Sequence, residues 1–63
     1  MKITLYRDTM EDAWLADYND DAEINRLFGC SVLPTAYRAS ATPEFVLARI
    51  RAFNPSAQVE LGL

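Results

Sequence analysis

Residues 42–55, Thr-Pro-Glu-Phe-Val-Leu-Ala-Arg-Ile-Arg-Ala-Phe-Asn-Pro, constrain the fold more than any other stretch. They punctuate one helix at both ends. Thr42 suits the N-cap, Pro43 the first helical position, and Glu44 the positive end of the helix dipole. Asn54 suits a left-handed cap, and Pro55 prevents continuation. Val46, Leu47, Ile50 and Phe53 recur at helical spacing, with Arg49 and Arg51 off that stripe. A helix of this kind is built to lie on an apolar surface, and the remainder of the chain must supply one.

The remainder reads mainly as strands. Residues 2–7 alternate, with Ile3 and Leu5 on one side and Thr4 and Tyr6 on the other. Residues 13–18 alternate again, placing Trp14, Ala16 and Tyr18 together. Asp8-Thr-Met-Glu-Asp12 between the runs is a polar turn, so the two pair as an antiparallel hairpin. Asp20 followed by Glu23 resembles a capping box opening a short helix with Ile24, Leu27 and Phe28 as its stripe and Gly29 as its stop. The segment 35–39, centred on Ala36-Tyr37-Arg38, is expected to be a third strand, and 58–61 a fourth, with Val59 and Leu61 inward. The fold class is therefore α+β, in the order β-β-(short α)-β-α-β. One amphipathic helix covers one face of a small, mainly antiparallel sheet of three or four strands.

Sixty-three residues form a single domain, 1–63. A chain of this length buries only about 60% of its unfolded surface, so its core is small. With one cysteine and no histidine, neither an internal disulfide nor a structural zinc site is available. Cys30 lies in no Cys-x-x-Cys motif and reads as a small buried hydrophobe. The opening residues lack a signal-peptide core and no run reaches membrane-spanning length, which predicts a cytoplasmic protein without membrane contact.

Charge is unevenly placed within a net −3. Residues 1–23 hold two basic and seven acidic side chains, net −5, and residues 24–63 hold four Arg and two Glu, net +2. This balance speaks against a general nucleic-acid binder, which needs a basic footprint. The acidic run around Asp17–Glu23 does not spell a calcium loop. Counted from Asp17, an EF-hand would need Gly at position 22 and Glu at position 28, where Ala and Phe stand. The turn carboxylates Asp8, Glu11, Asp12 and Asp17 lack the burial that acid–base catalysis demands, and Cys30 has no histidine base. No cofactor or metal is expected, and no enzymatic activity.

The residues left for function are surface aromatics and charges. Trp14, Tyr18 and Tyr37 are of the types enriched in interface hot spots. Asp12 and Asp17 would present acidic charge, and Arg38, Arg49 and Arg51 would meet an acidic partner or phosphate. These eight form the candidate partner-binding set. The leading expectation is a non-enzymatic interaction module for a protein partner, itself a homodimer joined at a sheet edge. The alternative is a nucleic-acid-binding module using the helix-face arginines and sheet aromatics.

One resemblance adds to this. Tyr6-x-Asp8, Trp14-x-Ala16-x-Tyr18, Gly29-Cys30 and Ala41-Thr42-Pro43-Glu44 with Leu47 resemble the HicB-like antitoxin domain, a small strand–strand–strand–helix–strand domain also described as a partial double-stranded-RNA-binding fold. The chain departs from that pattern in the extra helix at 20–28 and in a longer segment at 31–40 containing Pro34. The resemblance implies that architecture and an antitoxin-like or inhibitor-like role, and it carries over no residue as a toxin contact.

Overall fold

A computed structural model describes residues 1–62. The elements run β1 (Lys2–Asp8), β2 (Ala13–Asp17), α1 (Ala22–Phe28), β3 (Val32–Pro34), α2 (Pro43–Phe53) and β4 (Gln58–Leu61). The class is α+β, as the sequence predicts. The sheet order is β3-β2-β1-β4. β1–β2 and β2–β3 are antiparallel, whereas β4 lies parallel to β1. The crossover through α2 therefore carries the chain from one edge of the sheet to the other.

Register follows the alternation. Leu5 faces Ala16, Arg7 faces Trp14 and Ile3 faces Val59, so these side chains share one face of the sheet. α2 lies on that face. The core is Ile3, Leu5, Trp14, Ala16, Val46 and Val59, with Tyr18, Tyr37, Ala41, Leu47, Ile50 and Ala57 packed around it. The opposite face has no helix over it. Its central row, Tyr6, Leu15 and Pro34, is bordered by the Lys2–Glu60 ion pair at 3.0 Å. Tyr6 also fixes the end of β4: a Cβ at Gly62 would meet the Tyr6 ring, so only glycine allows that approach.

The turns use the residue types that tolerate them. Asp8 Oδ1 accepts the Met10 and Glu11 amides, closing the hairpin. Asp12, Asn19 and Asp20 carry positive φ, the non-glycine residues best suited to it. Asn19 Nδ2 donates to the Lys2 carbonyl, Thr4 Oγ1 and the Asp17 carbonyl, which ties the exit of β2 to the start of β1.

Five local expectations are corrected. Asn54 closes α2 at φ −133° and ψ 62°, not in the left-handed conformation, with its amide bonded to the Arg51 carbonyl. The third strand is Val32–Pro34, not 35–39. Leu33 faces Ala16, and at 35–39 the chain bends, with the Trp14 amide reaching the Tyr37 carbonyl. The cap of α1 is Asp21, whose carboxylate accepts the Glu23 and Ile24 amides, because Asp20 is held in a left-handed turn. Cys30 is exposed rather than buried, since it follows the αL Gly29 cap outside the sheet. Phe53 is 69% exposed, one turn beyond Ile50, the last α2 residue packed on the core.

Leu5→Ala is expected to lower the stability measured by urea unfolding by about 2–5 kcal/mol, because it opens a cavity in a small core. Met10→Ala, at the exposed tip of the hairpin, should change it by no more than about 0.5 kcal/mol.

Candidate functional site

The loop that leads into α2 is held by two β-strand side chains. Trp14 Nε1 donates to the Ala41 carbonyl at 3.0 Å. Arg7 Nε donates to the Ala39 carbonyl at 2.8 Å, and its Nη2 to that of Ala41 at 3.4 Å. The Arg7 guanidinium also lies over the Trp14 ring, 4.8 Å from its centroid. Next in sequence, Thr42 caps α2 by accepting the Phe45 amide. This clamp fixes where α2 starts and hence which side chains it presents.

The outer surface of α2 carries Phe45, Arg49 and Phe53 at i, i+4 and i+8, one continuous ridge. Phe45 is 51% exposed, and its ring meets Tyr37 edge-on with centroids 5.7 Å apart. Arg49 Nε donates to Tyr37 Oη at 3.4 Å, and its guanidinium lies 5.5 Å from the Phe53 ring centroid. Among the described residues Arg49 forms no ion pair with a carboxylate. The site is an exposed cation held between exposed aromatic rings on a rigid helix.

The eight sequence candidates divide accordingly. Tyr37 and Arg49 meet on the ridge. Trp14 is only 4% exposed, and its indole N–H is engaged, so it offers no contact surface. Tyr18 is half-buried against the core. Asp17 ends β2, and its carboxylate accepts the Asn19 amide of the turn that follows. Asp12 and Arg38 pair at 2.9 Å, and Asp12 also accepts the Ala39 amide, which ties the hairpin tip to the loop before α2. Arg51 turns to the sheet edge instead of the ridge, donating through Nε and Nη2 to the Val59 carbonyl at 3.3 and 3.0 Å.

That last contact bears on edge pairing. The Gln58 amide bonds to Met1 and that of Gly62 to Leu5, so the backbone groups of Val59 and Leu61 face away from β1. Arg51 occupies one of those outward carbonyls. The opposite edge, β3, has three residues and ends in Pro34, which has no N–H to offer. Both edges thus carry devices that discourage strand addition.

Phe45 and Phe53 were missed as site residues. The signal was their spacing of four about Arg49, with Phe45 on the Arg49 side of the buried Val46. A shallow cleft of about 320 Å³ lies beside the start of α2, lined by Tyr6, Arg7, Trp14, Pro43, Leu61 and Gly62. Its one charged group, Arg7, is already bonded to the clamp carbonyls. Among the described residues no three His, Cys, Asp or Glu side chains group as a metal site, and no helix is long and apolar enough to cross a membrane. No family model matches the chain, and neither does any curated protein or solved structure.

Arg7→Met is expected to cost about 1–3 kcal/mol in urea unfolding, because the Ala39 carbonyl loses its Arg7 donor and Trp14 loses its cover, while Ala41 keeps the indole N–H. The Trp14 fluorescence maximum should shift to the red as the clamp opens.

Proposed function

We propose that the chain is a non-enzymatic protein-interaction module that engages a protein partner through the α2 ridge of Phe45, Arg49 and Phe53 with Tyr37 at its flank. The observation that carries this reading is the pair of exposed phenylalanines bracketing a cation without a carboxylate partner. Exposed aromatics fixed on a helix lose little rotamer freedom on binding, and Phe, Tyr and Arg are enriched in interface cores. A helix face docking into a groove is a recurrent mode of recognition. The sequence resemblance to HicB-like antitoxin domains is what suggests an antitoxin-like or inhibitor-like role for this module.

The nucleic-acid reading draws less support. Arg7 and Arg51 are bonded to backbone carbonyls, and the exposed Arg26 and Arg38 each sit beside a carboxylate that offsets their charge toward phosphate. Among the described residues Arg49 is the one arginine without a carbonyl or carboxylate partner, too little for a phosphate track on a chain of net charge −3.

The test is affinity capture from the native lysate with the tagged chain, followed by titration of the captured protein. Phe45→Ala, Arg49→Ala and Phe53→Ala should each weaken its binding at least about tenfold, the range of interface anchors. Circular dichroism should show each variant folded as the parent is. Retention of the same partner by all three variants would overturn the reading, as would recovery of nucleic acid that is shed at high salt.

A further inference from the structure

The ridge does not stand alone on the surface. At the other side of the sequence, α1 buries none of its residues. Leu27 and Phe28 are 60% and 59% exposed. Glu23 precedes Leu27 by four residues and so lies beside it on the helix surface. Its ion pair with Arg26 spans 3.3 Å, with both side chains 71% exposed, a pairing that water and salt screen readily. Asp20 adds a further exposed carboxylate just before the helix. With Asp20 and Asp21 just before it, α1 sets three carboxylates against the single cation Arg26 and carries two large apolar side chains, and the α2 ridge is a cationic surface with two large aromatic ones. The two match in character and in sign of charge.

We propose that the first occupant of the α2 ridge is α1 of a second copy of this chain. The dimer has twofold symmetry: the ridge of each protomer receives the Glu23, Leu27 and Phe28 surface of its partner. Twofold symmetry forms the contact twice and closes the assembly, whereas a head-to-tail arrangement would leave one ridge and one α1 open at each end. Association through these helices leaves both sheet edges unpaired, in keeping with the Arg51 and Pro34 devices there. The inference rests on the ridge reading and specifies its chemistry: Glu23 meets Arg49, and Leu27 and Phe28 pack on Phe45 and Phe53.

Sedimentation equilibrium on the full chain, its charge-reversed variants and their mixture tests this. The parent should be a dimer whose dissociation constant rises with salt. Glu23→Arg and Arg49→Glu should each raise that constant about tenfold or more, since each sets like charges together. An equimolar mixture of the two variants should recover the parental constant, because in the mixed dimer both contacts regain opposite charges. Circular dichroism confirms that each variant stays folded. A parent that is monomeric at high concentration overturns the dimer, as does one that grows beyond two copies, or a mixture that fails to recover. If the parent is monomeric while Phe53→Ala still abolishes capture of a different protein, the dimer falls and the ridge reading stands. If the charge exchange behaves as expected while ridge variants retain that other protein, the dimer stands and the ridge is not the site for the other protein.

Discussion

Arg7 and Trp14 hold the point on which the rest of the molecule turns. They face each other across the hairpin, stack, and together bond the carbonyls of Ala39 and Ala41. Together with the Trp14 amide bond to Tyr37 and the Asp12 contacts to Arg38 and Ala39, that clamp fixes the path of the segment 35–41, which has no regular structure of its own. With it, Thr42 arrives at one end of the sheet in position to cap α2. The helix then descends over Ile3, Leu5 and Ala16 with Val46 fully buried beneath it. An arginine facing the core side of a small sheet is tolerable because its donors meet carbonyls and its flat face covers an indole.

A core this small leaves large apolar side chains at the surface. Phe28, Leu27, Phe45 and Phe53 together amount to more bulk than several of the buried residues, and they sit on the two helices, not on the sheet. A sheet of four short strands has room beneath one helix for a single layer of side chains. The second helix packs no residue fully inside and serves instead as a covered turn between β2 and β3. Exposed apolar surface of this kind on a small chain marks a candidate interaction site.

Much of the fold was legible in the residues, for local reasons. Thr42, Pro43 and Pro55 bound α2 through capping and backbone geometry that depend on near neighbours alone, while Asn54 closes it without the left-handed turn its type suggests. Alternation at 2–7 and 13–17 identified the hairpin because side-chain period and burial agree there. The third strand was displaced because Ala36-Tyr37-Arg38 has the composition of a strand, while Val32-Leu33-Pro34 ends in a residue usually read as a break. In the folded chain an edge position accepts proline, since its missing N–H would have faced outward. Of the site, Tyr37 and Arg49 were named and Phe45 and Phe53 were not, since an apolar residue on an amphipathic helix is assigned to the core by default.

The sequence by itself determined the α+β class, the extents of β1, β2, α2 and β4 to within a residue or so, and the separation of acidic from basic halves. These follow from periodicity, caps and composition, all carried by neighbouring residues. Only the tertiary structure decided that β4 returns beside β1, that Trp14 belongs to the clamp and not to a surface, and that Arg51 serves the β4 edge while Arg49 stays free for the ridge. Two arginines a residue apart on one helix have the same local signature. What separates them is which long-range neighbour each can reach, a strand carbonyl eight residues on for Arg51 and the Tyr37 and Phe53 rings for Arg49.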